Sequence, residues 1–320
     1  MPASLLISVR ASLSISNSDM RRFILKVGLF ALILFGVLFG SCFFLHDSSA
    51  GKTMLGAQRN KMEQFNRLSG ERVLIVGGSG CGQGLVTSNL CIALNRPVYN
   101  MGVHAGLGII YQMASVEKLV RAGDVVVLVP EYANFDGYSC FGDLELLMLV
   151  FDIIPEHKTL LGPSHWMHLL PVMPKYGADK IRHLFCAREV DDKSNDYDAY
   201  GDRKLPPSGR LAFPVARKMS EDDFSPAGLD YIKNFRKRIA DRGGIVLLLP
   251  PAYQRSSYLS RKRYIDKIAD ALDKAGMPFM VDPERYALND ELFYDTPYHL
   301  NLTGRQIRTM LVQEDLISSL

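Results

Sequence analysis

The sequence predicts an α/β protein whose core is a parallel sheet with helices on both faces, preceded by one N-terminal membrane helix. Two observations predict this fold. Short apolar runs typical of buried strands alternate with segments of helical periodicity, an order that produces βαβ units. Ahead of that alternation lies an uncharged run of 19 residues, 27–45. This length approaches the roughly 20 apolar residues that a membrane-spanning helix needs.

Five short apolar runs are predicted to be the strands of the sheet. They are 72–76 (RVLIV), 97–100, 124–129 (DVVVLV), 245–249 (IVLLL) and 278–281. Helices are predicted at 85–94, 107–120, within 140–160, at 227–242, 258–275 and 303–316, the last with Thr303 as its N-cap. Ligands of such sheets bind beyond the carboxyl ends of the strands. We therefore expect functional residues directly after strands.

The apolar run is predicted to be a transmembrane signal anchor. Arg21, Arg22 and Lys26 precede it, and by the positive-inside rule they hold residues 1–26 in the cytoplasm. Two alternatives remain open. A cleaved signal peptide would have a shorter apolar core and a cleavage site of small residues. The residues around Cys42 also resemble a lipoprotein cleavage site.

Beyond the anchor, the sequence divides into a stalk and a single domain. The polar residues 46–70 are predicted to be a stalk, and residues 71–320 an α/β domain. Residues 163–224 interrupt the alternation of strands and helices with many Pro, Gly, Asp and Lys residues. Long irregular connections in compact domains are often functional. We therefore predict that this segment is an insertion or a lid.

The composition bears on the classes of ligand and partner. The chain has 37 basic and 34 acidic residues, which gives no support to a nucleic-acid partner. The five cysteines show neither CxxC nor zinc-finger spacing. Free buried thiols and one or two disulfides both remain open. His165 and His168 flank Trp166 in SHWMH, a weak metal signal that also fits an aromatic contact on a lid. We predict neither a metal nor a cofactor.

A glycine-rich turn, GGSGCGQGL, follows the first predicted strand at 77–85. It lacks the lysine of a P-loop and the glycine spacing of a dinucleotide fingerprint, and Cys81 does not fit the GxSxG elbow. A serine on a turn at the carboxyl end of a strand has an exposed hydroxyl and nearby backbone N–H groups for an oxyanion. The turn therefore indicates Ser79 as a nucleophile. A flexible turn with an incidental serine is the alternative.

A second group of polar residues lies near the C-terminus, in a loop before the last predicted helix. A serine hydroxyl is a weak nucleophile until a base takes its proton, and histidine suits this role because its pKa lies near neutrality. A carboxylate fixes the histidine tautomer. Asp295 and His299 offer this pair. Ser79, His299 and Asp295 are therefore the predicted catalytic residues.

Together these segments resemble the SGNH (GDSL-like) hydrolase superfamily, over about residues 72–135 and 244–310. The similarity is greatest to its envelope branch, membrane-anchored proteins that help to acylate polysaccharides. The resemblance implies a three-layer, flavodoxin-like fold in the periplasm, anchored to a bacterial inner membrane. It also implies a serine esterase or O-acyltransferase that acts on acyl esters, such as acetyl esters, of cell-envelope carbohydrate. The implied partners are an acylated carbohydrate or small ester and a multi-pass membrane acyltransferase.

The resemblance assigns the oxyanion donors as well. Ser79 matches the nucleophile, whose own N–H is one donor. The segment 100–106 (NMGVHAG) matches the family's second block, so the N–H of Gly106 or Gly102 is a further donor. His104 in this block either contacts substrate or makes a structural hydrogen bond to its loop.

The sequence departs from the family pattern in two places. Asp295 and His299 are four residues apart where the family has three, so Asp290 is a second candidate for the acid. Glu131 stands about where the family has an asparagine, with Asn134 nearby. A carboxylate opposes an oxyanion unless it is protonated or turned away. These departures would suit an inactive partner of a membrane acyltransferase complex, and nucleotide binding by the turn is a weaker alternative.

Overall fold

The computed structural model describes residues 17–47, 49–186, 191–204 and 223–320. Four parallel strands form its sheet, in the order β2-β1-β3-β4. The strands are β1 (Val73–Gly77), β2 (Val98–Asn100), β3 (Val125–Val129) and β4 (Ile245–Leu248). A separate parallel ladder pairs β5 (Tyr253–Gln254) with β6 (Ala287–Leu288). The prediction of an α/β protein with a parallel sheet is thus confirmed.

The predicted fifth strand is not a regular strand. Residues 278–281 contribute one bridge, in which Phe279 lies beside Leu248. Pro278 has no N–H to donate and Pro283 follows closely, which limits the hydrogen bonds that this segment can make.

The described chain contains twelve α-helices. They are α1 (Asn17–Phe44), α2 (Ala57–Arg67), α3 (Ser79–Gly84), α4 (Thr87–Leu94), α5 (Ile109–Glu117), α6 (Leu144–Ile153), α7 (Pro163–Leu169), α8 (Met173–Phe185), α9 (Ala227–Asp241), α10 (Arg255–Ser260), α11 (Lys262–Lys274) and α12 (Leu302–Ile317). The predicted helix 258–275 is divided at Arg261. The N-cap of α12 is Asn301 rather than Thr303, because the Asn301 side chain accepts the N–H of Gly304 at 3.0 Å.

Alternate residues of the strands enter two different apolar clusters. Leu74 and Val126 pack in a cluster that includes buried residues of α5 and α9. Val73 and Val125 pack in a cluster that includes residues of α4 and α12. Both sets of strand side chains are therefore buried, which explains why the strands are almost continuously apolar.

Helix α1 is long and apolar enough to span a membrane, and most of its surface is exposed. Its last two turns are an exception, because they pack against α8. Gly177 on α8 approaches so closely that a Cβ atom there would overlap the Leu38 carbonyl oxygen. Cys42 is buried, and its Sγ donates to the Met173 carbonyl at 2.9 Å. Both lipidation of Cys42 and cleavage near it would require this contact to be broken.

Lys180 of α8 holds the C-terminal end of α1. Its Nζ donates to the carbonyls of Cys42 at 3.1 Å and Leu45 at 2.6 Å, and it forms a buried ion pair with Asp152 at 2.6 Å. The last carbonyls of a helix lack partners within the helix and carry a partial negative charge. Lys180 satisfies them and offsets that charge.

The segment predicted as a stalk is part of the folded body. Ala57, Lys61 and Phe65 are buried along one side of α2, and Phe65 belongs to the main apolar cluster. These residues follow the i, i+4, i+8 spacing of a single helix face. Lys61 interrupts the apolar pattern at the middle position, so the amphipathic character of α2 is hard to recognise in the sequence.

The described parts of the predicted insertion or lid are packed against their neighbours. Leu169 of α7 and Met173 of α8 share an apolar cluster with residues of α6 and with Cys42. Farther along, the Tyr200 carbonyl accepts the N–H of Asn100 at 3.0 Å, at the end of β2. Residues 187–190 and 205–222 of the insertion lie outside the described residues.

Replacing Gly177 with alanine is expected to weaken the contact between α1 and α8. The added Cβ overlaps a backbone carbonyl that cannot move without its helix, and overpacking of this kind costs about 1–3 kcal/mol. Thermal unfolding of the full chain in detergent measures the effect. Gly36→Ala on α1 is the matched control, because a Cβ there contacts nothing. A Gly177→Ala protein as stable as Gly36→Ala would contradict the close packing.

Candidate active site

The glycine-rich turn after β1 packs closely against two other parts of the chain. None of the glycines between positions 77 and 84 has a positive φ, so the turn does not need them for a left-handed conformation. They are needed for space. A Cβ on Gly78 would lie 2.7 Å from Ala105 and 2.5 Å from Glu131 Oε1, and one on Gly82 would lie 2.6 Å from the Gly102 carbonyl oxygen. The turn therefore lies directly against the 100–106 segment and Glu131.

Ser79, His299 and Asp295 form a continuous chain of hydrogen bonds. Ser79 is the first residue of α3, and its Oγ lies 2.8 Å from His299 Nε2. His299 Nδ1 lies 2.7 Å from Asp295 Oδ1. The hydrogen bond with His299 lowers the pKa of the Asp295 carboxyl. Because an ionised Asp295 accepts a hydrogen bond from Nδ1–H, His299 Nε2 carries no proton in the neutral ring and can accept the Ser79 hydroxyl proton.

A compact turn accommodates the four-residue spacing between Asp295 and His299. Thr296 Oγ1 accepts the N–H of His299 at 3.1 Å, and the Tyr294 N–H donates to the His299 carbonyl at 2.8 Å. These bonds fold the loop back so that the two side chains meet. Asp290, the second candidate for the acid, instead accepts the N–H of Ser256 at 3.0 Å.

The two glycine N–H groups predicted to stabilise an oxyanion are already paired within the protein. The Gly102 N–H donates to Asn100 Oδ1 at 3.0 Å, and the Gly106 N–H donates to His104 Nδ1 at 3.0 Å. Within the described chain, the N–H groups of Ser79 and Ala105 make no hydrogen bond. Ala105 lies against Gly78, the residue before Ser79. The N–H groups of Ser79 and Ala105 are therefore better candidates than those of Gly102 and Gly106 for donors to an oxyanion.

His104 makes the structural hydrogen bond that is one of its two predicted roles. Its Nδ1 accepts the Gly106 N–H, so in the neutral ring the proton lies on Nε2. Burial, and to a lesser extent the nearby His299, lowers the pKa of His104 and favours this neutral form.

Glu131 lies beside the nucleophile rather than turned away from it. Its Oε1 accepts the Gly80 N–H at 3.3 Å, one residue after Ser79. Burial raises the pKa of the Glu131 carboxyl, an effect that the nearby His299 opposes. Asn134 has a different position: its Oδ1 accepts the Glu131 N–H at 2.9 Å and thereby holds the backbone of that residue.

Two buried cations support the site, and sequence reasoning did not find them. Arg308 on α12 donates to the Gly80 carbonyl at 2.7 Å, and Lys61 on α2 donates to the Gly102 carbonyl at 2.5 Å. Burial lowers the pKa of Lys61 to about 7. Each cation occupies a buried position in the repeat of its helix. The signal in the sequence that could have revealed them is a basic residue at an i+4 position of an otherwise apolar helix face.

The insertion also contributes a support to the site. Asp202 is buried, and its carboxylate accepts from the Thr87 N–H at 2.6 Å and from Asn100 Nδ2 at 2.8 Å. The next residue, Arg203, donates its N–H to the Gly82 carbonyl at 2.7 Å. These bonds connect the insertion to both the second block and the nucleophile turn.

The remaining sequence candidates are structural in the described chain. His165 and His168 pack against the Phe141 ring, with centroids 5.2 and 4.3 Å away, and Trp166 stacks on Phe151. In the part of the chain that the structure describes, no three His, Cys, Asp or Glu residues form a group that could hold a metal ion. All five cysteines are free thiols.

Comparison with known proteins does not assign the chain to a family. No protein-family model matches the sequence. No curated protein matches it significantly either.

Glu131→Gln is expected to stabilise the protein increasingly as the pH rises. In the unfolded chain, Glu131 loses its proton near its ordinary pKa. In the folded protein its pKa is raised, so the carboxyl stays protonated to higher pH. The unfolded state is therefore favoured increasingly as the pH rises above the ordinary pKa. Glutamine has no proton to lose and can still accept from Gly80. Melting temperatures between pH 5 and 8 should therefore diverge in favour of the variant.

Glu291→Gln, at an exposed position in the loop before α12, is the control for this experiment. Its difference from the wild type should not grow with pH. Parallel pH profiles for Glu131→Gln and the wild type would show that burial does not hold the Glu131 carboxyl in its neutral form.

Proposed function

We propose that this protein is a membrane-anchored serine esterase or O-acyltransferase of the SGNH type. The observation that carries the proposal is the hydrogen-bonded chain from Ser79 through His299 to Asp295. It lies directly after the first strand of a parallel sheet, where ligands of such sheets bind. The three residues come from segments that are more than 200 positions apart, and the bond directions suit a nucleophile, a base and an orienting acid.

We propose further that the fold is a three-layer, flavodoxin-like arrangement. The strand order β2-β1-β3-β4, with Phe279 bridged beyond β4, corresponds to the order 2-1-3-4-5 of that fold. The two apolar clusters, each fed by alternate strand residues and by different helices, support helix layers on both faces of the sheet.

The first chemical step would be attack of Ser79 Oγ on the carbonyl carbon of an ester. His299 Nε2 takes the hydroxyl proton as the new bond forms, and Asp295 stabilises the resulting imidazolium. The Ser79 and Ala105 N–H groups are the proposed hydrogen-bond donors to the developing oxyanion. When the tetrahedral intermediate collapses, His299 returns the proton to the leaving alcohol and an acyl-enzyme remains.

The second step releases the acyl group from Ser79. Water or an acceptor alcohol loses its proton to His299 Nε2 and attacks the acyl carbonyl, and His299 then protonates Ser79 Oγ as it leaves. Water gives hydrolysis and a carbohydrate hydroxyl gives O-acyl transfer. Ser79, His299, Asp295 and the two N–H donors serve both outcomes.

Glu131 enters this mechanism in its neutral form. A protonated carboxyl beside the nucleophile does not repel an oxyanion and can donate a hydrogen bond, as the family's asparagine would. The burial that raises its pKa supports this state. Glu131 would thus take the place of the asparagine with a different functional group.

The substrate class follows from the resemblance together with the anchor. We propose acyl esters of cell-envelope carbohydrate, with acetyl as one example, as the substrates. Arg21, Arg22 and Lys26 favour a cytoplasmic N-terminus and a domain in the periplasm of a bacterial inner membrane. A multi-pass membrane acyltransferase is the proposed partner.

A second candidate function is that of an inactive partner within an acyltransferase complex. The observations in its favour are that the Gly102 and Gly106 N–H groups are already paired, and that a carboxyl group replaces the family's asparagine. It needs no acyl-enzyme, which makes the two functions separable by experiment.

The full chain in detergent is expected to react with a fluorophosphonate probe at Ser79. Ser79→Ala should abolish labelling, and His299→Ala should abolish it or reduce it greatly because the hydroxyl is no longer activated. Ser69→Ala, at an exposed serine before β1, should label like the wild type. A folded wild-type protein that remains unlabelled would favour the inactive partner.

Asp295→Asn is expected to lower kcat/KM for p-nitrophenyl acetate by about 10²–10⁴-fold, because the asparagine cannot stabilise the imidazolium or hold the correct tautomer. Asp290→Asn should leave the rate unchanged, since Asp290 contacts Ser256 instead. Steady-state hydrolysis by the two variants measures this difference. The reverse pattern, with loss only in Asp290→Asn, would overturn the assignment of the acid.

A further inference from the structure

The depth of the contacts between α1 and the domain follows from the length of the apolar run. Within α1, the 18 uncharged residues 27–44 form about 27 Å of helix, which is close to the roughly 30 Å of bilayer hydrocarbon. With the charges of Arg21, Arg22 and Lys26 outside the hydrocarbon, a membrane-spanning α1 places this whole stretch inside it. The side chains that pack against residues 38–44 then lie at the depth of the leaflet at the C-terminal end of α1.

Two contacts with α1 flank the end of α7 and its turn into α8. The Trp166 ring of α7 lies 6.2 Å from the Phe43 ring, and the Met173 carbonyl of α8 accepts from Cys42 at 2.9 Å. The residues between them, 167–172, are thus fixed at both ends against the last turn of α1. We refer to residues 167–172 as the α7–α8 corner.

The α7–α8 corner has the composition of a surface that meets lipid. Residues 159–174 contain no Asp, Glu, Lys or Arg, and Lys158 and Lys175 stand at the two ends of this run. Met167 is 69% exposed and Leu170 is 47% exposed, although both belong to an apolar segment. Lys158 lies over the Phe43 ring of α1 at 5.6 Å and Lys175 pairs with Glu145, so both charges stand at the ends of the apolar run and not within it. Tryptophan, as at Trp166, favours the membrane interface.

The corner also continues an apolar surface that already faces the membrane. Between positions 27 and 44 the exposed side chains of α1 are apolar, and the corner adjoins their C-terminal end. Apolar side chains grouped beside a membrane helix, in a soluble setting, would form an exposed patch of the kind that monomeric proteins rarely retain. The hydrocarbon of the leaflet is the occupant that this continuity favours.

We propose that the α7–α8 corner is inserted into the leaflet at the C-terminal end of α1, so that the domain rests in the bilayer surface. The surface binds lipid acyl chains through Met167 and Leu170. Lys180, which forms a buried ion pair with Asp152, fixes α8 to the end of α1 through its hydrogen bonds to the Cys42 and Leu45 carbonyls. This inference depends on α1 spanning a membrane and not on the activity of Ser79.

Depth-dependent quenching on the full chain in lipid nanodiscs tests the proposal. The background carries Cys91→Ser and Cys186→Ser, because the other three thiols are buried. Met167→Cys and Leu170→Cys are labelled with an environment-sensitive NBD fluorophore, and the nanodiscs contain doxyl-labelled phospholipid. Val37→Cys on exposed α1 is the lipid-facing control. Ile92→Cys on α4, where Ile92 is 81% exposed, is the water-facing control.

Insertion predicts that positions 167 and 170 show blue-shifted emission and strong quenching by doxyl lipid, as position 37 does. Emission and quenching like those of position 92 would overturn the proposal, because the corner would then face water. A blue shift without quenching would also overturn it, since the corner would then be covered by a protein surface and not by lipid.

Discussion

The close contact of backbone with backbone around Ser79 is the constraint on which the rest of the site depends. Gly78 and Gly82 leave no room for side chains, and the 100–106 segment fills that space. Because the main chains touch, the position of Ser79 also fixes the position of the Ala105 N–H. Arg308 and Lys61 then hold the two segments from behind, each by a hydrogen bond to a carbonyl oxygen. The geometry is thus set by packing and buried polar bonds, and little of it depends on conformational strain.

The buried polar groups near Ser79 are connected to one another by hydrogen bonds. Asp202 bonds both Thr87 and Asn100, and Asn100 in turn accepts the Gly102 N–H. A buried polar group that loses its partner costs about 1–3 kcal/mol. Displacement of any one of these groups would therefore leave a buried neighbour unpaired and destabilise the protein. The pairing of the Gly102 N–H belongs to this support, which is why that group serves structure here.

The sequence allowed the parallel sheet, the long apolar helix α1 and the residues that meet at Ser79 to be predicted. Strong local patterns carry that information: β-branched runs for β1 and β3, an uncharged run for α1, and a glycine-rich turn for Ser79. Contacts over long distances were not predictable in the same way. Lys61 and Arg308 interrupt apolar helix faces, and only the folded structure provides the carbonyl groups that accept their hydrogen bonds. The prediction that residues 46–70 form a stalk was wrong for the same reason. The face of α2 that carries Lys61 can be buried only because Lys61 donates to the Gly102 carbonyl, a contact that the sequence does not reveal.

The contact between Lys61 and Gly102 has a consequence for how the domain could meet its ligands. Only 15 residues separate Leu45 from Lys61 in the sequence, and most of them are folded in short helices. Among the described residues of this stretch, 46–47 and 49–60, no long irregular segment is present that would let the domain swing or extend. With α1 in a bilayer, the serine would keep one height and one tilt above the lipid. The distance of an ester group from the membrane would then determine whether it can contact Ser79. An ester carried at the height of Ser79 could arrive by lateral diffusion along the membrane. An ester held farther from the membrane would have to be brought to Ser79 by another molecule.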